Sequence, residues 1–138
     1  MAHDGVNFVY SARVRYADID LQGIMFNAAY LAYFDTAITE FFRARKFDSI
    51  AYARATNADF HVVRALVEYK RPVTYDAVIE ILVRVARIGT SSLTFNLEIR
   101  LPGEETLCTS GEVVYVHTDR ATKRSLPIGD PLRSLLAG

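Results

Sequence analysis

Apolar and polar positions alternate along much of the chain in a way that predicts short β-strands. Residues 8–16 place Ala12, Val14 and Tyr16 on one side, and residues 92–100 alternate strictly. Three further stretches have strand character: 61–69, 78–87 and 106–118. Gly, Pro and Asp residues separate most of them and mark turns. The pattern therefore predicts one early strand and four later strands joined mostly by short turns.

A different spacing between about Ala28 and Arg45 predicts one long amphipathic helix. At about 100° per residue, its bulky and apolar side chains fall within one half-circle: Tyr30, Leu31, Tyr33, Phe34, Ala37, Ile38, Phe41 and Phe42. One such helix cannot cover both faces of five strands, so a curved sheet around it is the efficient solution. We expect an α+β fold, with an antiparallel five-stranded sheet wrapped around the helix, in a single domain over residues 1–138.

Composition and charge narrow the range of functions. The 138 residues carry 16 basic and 16 acidic side chains, for a net charge of +0. A neutral chain lacks the basic surface that duplex nucleic acid requires, so no nucleic-acid partner is expected. The single cysteine, Cys108, cannot form an internal disulfide and is expected in the core. His3 and His117 lack partners at metal-ligand spacing, so no metal is expected.

The chain also lacks the usual signals of export or membrane insertion. The segment from Met1 to Tyr10 carries Asp4 and has no apolar core of the kind that signal peptides have. The longest apolar run, Ala28 to Phe34, is far shorter than the roughly 20 residues that span a bilayer. A cytoplasmic location without a membrane span is therefore expected.

The densest group of polar residues lies between the first strand and the long helix: Asp18, Asp20, Gln22, Gly23 and Asn27. Free N–H groups at a helix start can receive a carbonyl oxygen or an oxyanion. A carboxylate just upstream is ionised at neutral pH and can act as a base or a nucleophile. A carboxylate and free N–H groups at a helix start are the minimum set of functional groups for hydrolysing an activated acyl group. Aspartates before a helix are also common turn formers and caps, so the residues alone leave both interpretations open.

Other groups of residues have competing interpretations. The Asp18-Ile19-Asp20 spacing also occurs in magnesium-dependent phosphotransferases, but those need a buried parallel strand and βαβ units, which this pattern does not predict. His61 falls in phase with the inward face of its strand, which favours a core or pocket-wall histidine over a catalytic one. The segment Arg87 to Ser92 either binds a phosphate through N–H and hydroxyl groups or forms a plain hairpin turn.

The residues from Tyr16 to Asp35 carry a motif with fixed spacing, built from the Asp20-Leu21-Gln22-Gly23 turn, Phe26 and the helix start at Asn27. This motif resembles the signature of hotdog-fold acyl-CoA thioesterases. It is most similar to the 4-hydroxybenzoyl-CoA thioesterase class and to relatives associated with the bacterial Tol–Pal system. Weaker matches extend the resemblance over Val14 to Pro127: Val67-Glu68-Tyr69 with Pro72, Gly89-Thr90-Ser91, Glu112-Val113-Val114 and Asp119.

The resemblance implies a hotdog fold and a homodimer or dimer of dimers, with joined sheets and active sites at the subunit interface. Asp20 matches the catalytic carboxylate of the family, and Asn27 matches the position whose backbone N–H polarises the thioester carbonyl. The substrate is expected to contact further residues: Gly23, Phe26, Val63, Arg87, Gly89, Thr90, Ser91 and Ser92. Coenzyme A would enter as part of the substrate, with its pantetheine arm between subunits, and no separate cofactor is expected.

One departure from the family pattern and one contrast with hotdog hydratases refine the expectation. Many close relatives carry His or Tyr where this chain has Asn27, so the side chain has no assigned role and the backbone N–H remains. Hotdog hydratases need a histidine at the helix start, and none lies near Asp20 in sequence. We expect an acyl-CoA thioesterase in which Asp20 is a nucleophile or a general base. A non-catalytic acyl-thioester-binding protein and an acyl-carrier-protein thioesterase are the alternatives. The sequence leaves both the chain length and the aromatic or aliphatic character of the acyl group open.

Overall fold

The computed structural model describes residues 5–137, and within them the predicted α+β plan is confirmed. His3 and Asp4 lie outside that range. The strands are β1 (Phe8–Arg13), β2 (Ala58–Tyr69), β3 (Val78–Ile88), β4 (Ser92–Arg100) and β5 (Leu107–Asp119). The helices are α1 (Ala29–Ala44), α2 (Ser49–Thr56) and α3 (Asp130–Ala137). All strand pairs are antiparallel, in the order β1-β3-β4-β5-β2.

The sheet curves around α1. This helix packs against β3 near the middle of the sheet and against both outer strands, β1 and β2. In a flat sheet the outer strands would stand about 19 Å apart, which is wider than a helix of about 10 Å, so contact with both requires curvature. Phe34, Ile38 and Phe41 of α1 are fully buried against the sheet. Gly111 of β5 permits a close approach of the helix, because a Cβ there would lie 2.3 Å from the Phe34 ring.

A β-bulge in β2 changes which side chains face the core. The register between β2 and β5 shifts between Val62 and Arg64. Before the bulge Phe60 packs against the core, whereas His61 is half-exposed and lies 3.0 Å from Asp59. The prediction that His61 lies on the inward face is therefore wrong, because one extra residue inverts the alternation.

Two other elements differ from the predicted pattern. Helix α2 was not predicted; the Asp48 carboxylate caps it by accepting hydrogen bonds from the N–H groups of Ile50 and Ala51, each at 3.0 Å. Strand β1 ends at Arg13, and the chain then forms one 3-10 turn over Tyr16–Asp18. Cys108 is buried, as expected. None of the helices in residues 5–137 is long and apolar enough to cross a bilayer.

Candidate active site

The loop between β1 and α1 is held as a tight turn that projects the Asp20 side chain. The N–H of Asp20 donates to the carbonyl of Ile24, and the N–H of Gly23 donates to the carbonyl of Asp20, both at 3.0 Å. Gly23 has a φ of +76°, a conformation that costs other residues roughly 1–2 kcal/mol. The carbonyl of Gly23 also accepts from the N–H of Tyr75 at 2.9 Å, which ties the turn to the segment before β3.

The Asp20 carboxylate retains one oxygen for chemistry. Its Oδ1 accepts a hydrogen bond from the N–H of Gln22 at 2.8 Å. Across residues 5–137, no group donates to Oδ2. Asp20 borders a cavity of about 450 Å³. The other lining residues are Ile24, Met25, Phe26, Asn27, Tyr30, Tyr69, Lys70, Arg71 and Pro72.

The start of α1 lies beside the same cavity. The residue before the helix, Ala28, has no side chain that could cap it. Within the described chain, the N–H groups of Asn27 and Ala28 have no hydrogen-bond partner. The preceding N–H, that of Phe26, is already bonded to the carbonyl of Asp18 at 2.8 Å. Asn27 lines the cavity with Asp20, so a carboxylate and the start of a helix border one space.

Asp18 has a structural environment that sets it apart from Asp20. Its carboxylate accepts hydrogen bonds from Arg15 Nε at 2.9 Å and from the Tyr33 hydroxyl at 2.7 Å. The Asp18 side chain is only 13% exposed. The hydrogen bond from Arg15 lowers the pKa of Asp18 below its ordinary value. Asp18 is therefore held as a charged partner of Arg15 and Tyr33 rather than presented to the cavity.

The substitution Asp18→Asn is expected to destabilise the protein in a pH-dependent way. A lowered pKa in the folded state means that the ionised group stabilises the fold above the unfolded pKa of about 3.9, and that this stabilisation is lost as the pH falls through the folded value. Urea unfolding of both proteins at neutral pH and at successively lower pH measures the effect. At neutral pH we expect a lower free energy of unfolding for Asp18→Asn than for the wild type, and this difference should become smaller in acid. A difference that stayed constant would contradict the ion-pair account.

Aromatic rings and two cations complete the cavity wall. Tyr30 is 3% exposed, and burial raises the pKa of its hydroxyl. The ring of Tyr69 meets that of Tyr30 edge to face, with centroids 4.9 Å apart. Lys70 and Arg71 follow in sequence, each within 4 Å of a glutamate carboxylate. Sequence reasoning assigned no role to Tyr69, Lys70 or Arg71, although the resemblance motif included Tyr69 and Pro72.

The residues expected at the coenzyme A end lie far from Asp20 within one chain. The Asp20 cavity borders the segment that precedes β3, whereas Arg87 to Ser92 form the turn after it. An eleven-residue strand separates them by roughly 35 Å. Val63 lies at the β2 bulge and is 60% exposed. One chain therefore brings together Asp20, Phe26 and Asn27, with Gly23 in the supporting turn, but not Val63 or the β3–β4 turn.

The β3–β4 turn is packed beneath the C-terminal segment. The N–H of Gly89 donates to the carbonyl of Ser92 at 2.8 Å, which closes the turn. Arg133 of α3 donates to the carbonyl of Gly89 at 2.7 Å. The carbonyls of Thr90 and Ser91 accept from the N–H groups of Ile128 and His117. The Arg87 side chain is exposed and has no partner among residues 5–137.

The histidines of the described chain have structural partners. His117 is buried, with its Nε2 2.8 Å from the Tyr52 hydroxyl and its Nδ1 3.2 Å from the Leu126 carbonyl. His61 lies near Asp59 on the outer side of β2. Across residues 5–137, no three His, Cys, Asp or Glu side chains form a group that could hold a metal ion.

Known proteins share this chain's sequence pattern and architecture. The thioesterase-like superfamily matches residues 14–136. The acyl-CoA thioester hydrolase YbgC of Escherichia coli O6:H1 is 33% identical over 122 residues, covering 87% of this chain and 90% of that protein.

Two solved structures share the fold at low sequence identity. The 1,4-dihydroxy-2-naphthoyl-CoA thioesterase from Synechocystis has a TM-score of 0.88 at 14% identity, over 94% of this chain and 95% of that one. A Staphylococcus aureus protein in complex with CoA has a TM-score of 0.86 at 17% identity, over 94% and 81% of the two chains. With the family match and the YbgC relative, they identify this chain as a hotdog-fold thioester hydrolase of the thioesterase-like superfamily.

Proposed function

We propose that the protein hydrolyses acyl-CoA thioesters to a free acid and coenzyme A, with Asp20 and the N–H groups at the start of α1 as its catalytic machinery. One observation carries this proposal. Asp20 and Asn27 border the same cavity, and among residues 5–137 nothing donates to Oδ2 of Asp20 and nothing accepts from the N–H groups of Asn27 and the adjacent Ala28. The activities of YbgC and of the Synechocystis enzyme support coenzyme A thioesters as the substrate class.

The chemistry follows from those two groups. The thioester oxygen accepts from the helix-start N–H groups, which stabilise the negative charge that develops on it. Asp20 either attacks the carbonyl carbon, giving an acyl-aspartyl anhydride that water then cleaves, or takes a proton from the attacking water. In both routes the carbon–sulfur bond breaks, and the electron pair leaves with the coenzyme A thiolate. Both routes require an ionised Asp20.

Two copies of the chain would bring the separated groups together. β2 is an outer strand of twelve residues, and its exposed apolar side chains include Val62, Val63 and Leu66. An exposed edge of this kind favours pairing with a second copy, which a two-fold axis makes antiparallel. The Tyr69 end of one β2 would then meet the Ala58 end of the other.

The Ala58 end of β2 lies beside the turn expected to contact coenzyme A. Phe60 pairs with His117 across β2 and β5, and the N–H of His117 donates to the carbonyl of Ser91 at 2.8 Å. Antiparallel pairing would therefore carry the β3–β4 turn of one copy toward the Asp20 cavity of the other. This arrangement supports a homodimer with two shared sites, as the resemblance implies.

A carrier-protein substrate has less support from the charged residues. The sequence has no long basic patch for docking an acidic carrier and offers only a small cluster, Arg43, Arg45 and Lys46. Arg43 bonds Glu40, and Arg45 lies over the Phe41 ring at 5.0 Å. Both guanidinium groups thus have partners on α1, which makes this small cluster a weaker docking surface for an acidic carrier than its sequence suggests.

A substrate panel tests the proposed activity. The purified protein is given coenzyme A thioesters that vary in chain length and ring content, together with the matching acyl-carrier-protein thioesters, and thiol release is followed. We expect turnover of at least one coenzyme A thioester. Hydrolysis of carrier-protein thioesters alone would replace the proposed substrate class, and binding without any hydrolysis would favour the non-catalytic alternative.

The substitution Arg87→Ala is expected to raise KM for acyl-CoA several-fold with little change in kcat. Arg87 is exposed, and single exposed charge pairs are worth only about 0.2–1 kcal/mol, so its contact with a nucleotide phosphate would contribute modestly. Salt dependence of KM should weaken as well. Steady-state kinetics at several ionic strengths measures both effects.

An acyl-pantetheine substrate provides the control for Arg87→Ala because it lacks the nucleotide. We expect the variant and the wild type to hydrolyse it equally well. Equal losses on both substrates would mean that Arg87 supports the fold or the pantetheine-binding region instead of binding the phosphates. A loss confined to kcat would mean that Arg87 takes part in the catalytic step, and would contradict its assignment as a phosphate contact.

A further inference from the structure

The peptide group at the start of α1 is held by a side chain from the far end of β2. The hydroxyl of Tyr69 donates a hydrogen bond of 2.7 Å to the carbonyl oxygen of Asn27. The two residues are 42 positions apart in sequence. This is the only described hydrogen bond within residues 5–137 that reaches the Asn27 carbonyl.

The position of the Tyr69 hydroxyl is set by the sheet and the core. Tyr69 is the last residue of β2 and pairs with Thr109 of β5. Its ring stands at 84° to the ring of Tyr30, with centroids 4.9 Å apart, and Tyr30 is buried. The hydroxyl is therefore presented to the loop from a rigid element and not by the loop itself.

The hydrogen bond acts on an N–H group as well as on a carbonyl. The carbonyl of Asn27 and the N–H of Ala28 belong to one planar peptide, so fixing the first fixes the direction of the second. A donor on the carbonyl also polarises the peptide and strengthens its N–H as a donor. The preceding peptide is held in the same way, because the carbonyl of Phe26 accepts from the N–H of Ala29 at 2.9 Å.

We propose that Tyr69 is a positioning residue for the oxyanion site: its hydroxyl orients and polarises the Asn27–Ala28 peptide, whose N–H receives the thioester oxygen. This inference rests on the proposed function, since it assigns the helix-start N–H groups to the developing oxyanion. Tyr69 itself does not contact the reacting atoms in this account. It acts through the peptide. Its hydroxyl should therefore stabilise the transition state more than it stabilises the bound substrate.

The substitution Tyr69→Phe tests the inference because it removes the hydroxyl and keeps the ring. Losing one neutral hydrogen bond is expected to lower kcat by roughly five- to tenfold. KM and the thermal midpoint should stay close to wild type, since the Tyr30 contact persists and water can reach the exposed Asn27 carbonyl. Steady-state kinetics with an acyl-CoA substrate gives the comparison.

The matched control is Tyr16→Phe. Tyr16 also lies edge to face with another tyrosine, Tyr75, at 6.1 Å, and its hydroxyl makes no hydrogen bond to any residue of 5–137. We expect this variant to hydrolyse acyl-CoA like the wild type. A similar fall in kcat for both variants would show a general effect of losing a tyrosine hydroxyl and would overturn the inference.

A spectroscopic readout separates positioning from a structural role. In a ketone analogue of acyl-CoA a methylene replaces the thioester sulfur, so the carbonyl remains and the carbon–sulfur bond cannot break. Hydrogen bonds from the N–H groups lower its carbonyl stretching frequency. We expect a smaller lowering in Tyr69→Phe than in the wild type or Tyr16→Phe. An unchanged frequency, an unchanged kcat, or a change in KM alone would overturn the inference.

Asp20→Asn, measured in the same series, distinguishes this inference from the proposed function. If Asp20→Asn is inactive while Tyr69→Phe matches the wild type, the positioning role fails and the proposed function stands. If Asp20→Asn remains fully active, the proposed catalytic role of Asp20 is wrong, whatever the kcat of Tyr69→Phe.

Discussion

Two carboxylates placed on the outer edge of β2 are expected to split the protein into single chains and to lower hydrolysis at least about 10²-fold, the scale on which misplaced groups affect catalysis. The variant is Val62→Asp with Leu66→Asp, at side chains that are 50% and 41% exposed. A two-fold interface repeats each substitution, so four like charges would meet across the paired strands. Light scattering measures the mass, which should fall to that of one 15.5 kDa chain.

The control for β2 uses the other edge of the same sheet. Val9 of β1 is also partly exposed, at 36%, and Val9→Asp adds a carboxylate there. We expect that variant to keep the wild-type mass and turnover. A double β2 variant that is a stable monomer with full activity would contradict the shared site, and one that keeps its mass would show that the copies pair elsewhere. Circular dichroism checks that both variants remain folded.

Patterns along the chain were sufficient to predict most of the sheet and α1. Strand β4 matches its predicted range, and α1 differs from its range by one residue at each end. The errors have local causes. The bulge between Val62 and Arg64 inverts the alternation of inward-facing and outward-facing side chains along β2, and the sequence pattern does not reveal this inversion. Helix α2 has eight residues and no apolar stripe, so only its caps, Asp48 and the left-handed Asn57, could have predicted it.

The local part of the site was predictable, and the distant part was not. Asp20, Gly23 and Asn27 lie close together in the sequence, so their spacing carried the motif. The sequence could not separate Asp18 from Asp20 by chemistry alone, because the difference comes from hydrogen bonds that form in the folded chain, from Arg15 and from the hydroxyl of Tyr33 fifteen residues away. Tyr69 reaches Asn27 only through the pairing of β2 with β5, which no short-range pattern specifies.

The substitution Asp20→Asn is expected to lower kcat at least about 10²-fold, which is the usual contribution of a general base alone. Asparagine keeps the size of the side chain, and its amide oxygen can still accept the hydrogen bond from the N–H of Gln22. The turn should therefore persist while the ionisable oxygen is lost. Asp18→Asn is the matched comparison, two residues away, and should lower kcat less because Asp18 is held by Arg15 and Tyr33.

The most direct measurement compares the turnover of acyl-CoA with the binding of an uncleavable analogue for Asp20→Asn. Thiol release from an acyl-CoA is followed together with the affinity for a thioether analogue that has no cleavable thioester. We predict that the variant binds the analogue as tightly as the wild type does and releases almost no thiol. Thiol release at a near-normal rate would contradict the central claim that the Asp20 carboxylate carries the hydrolysis.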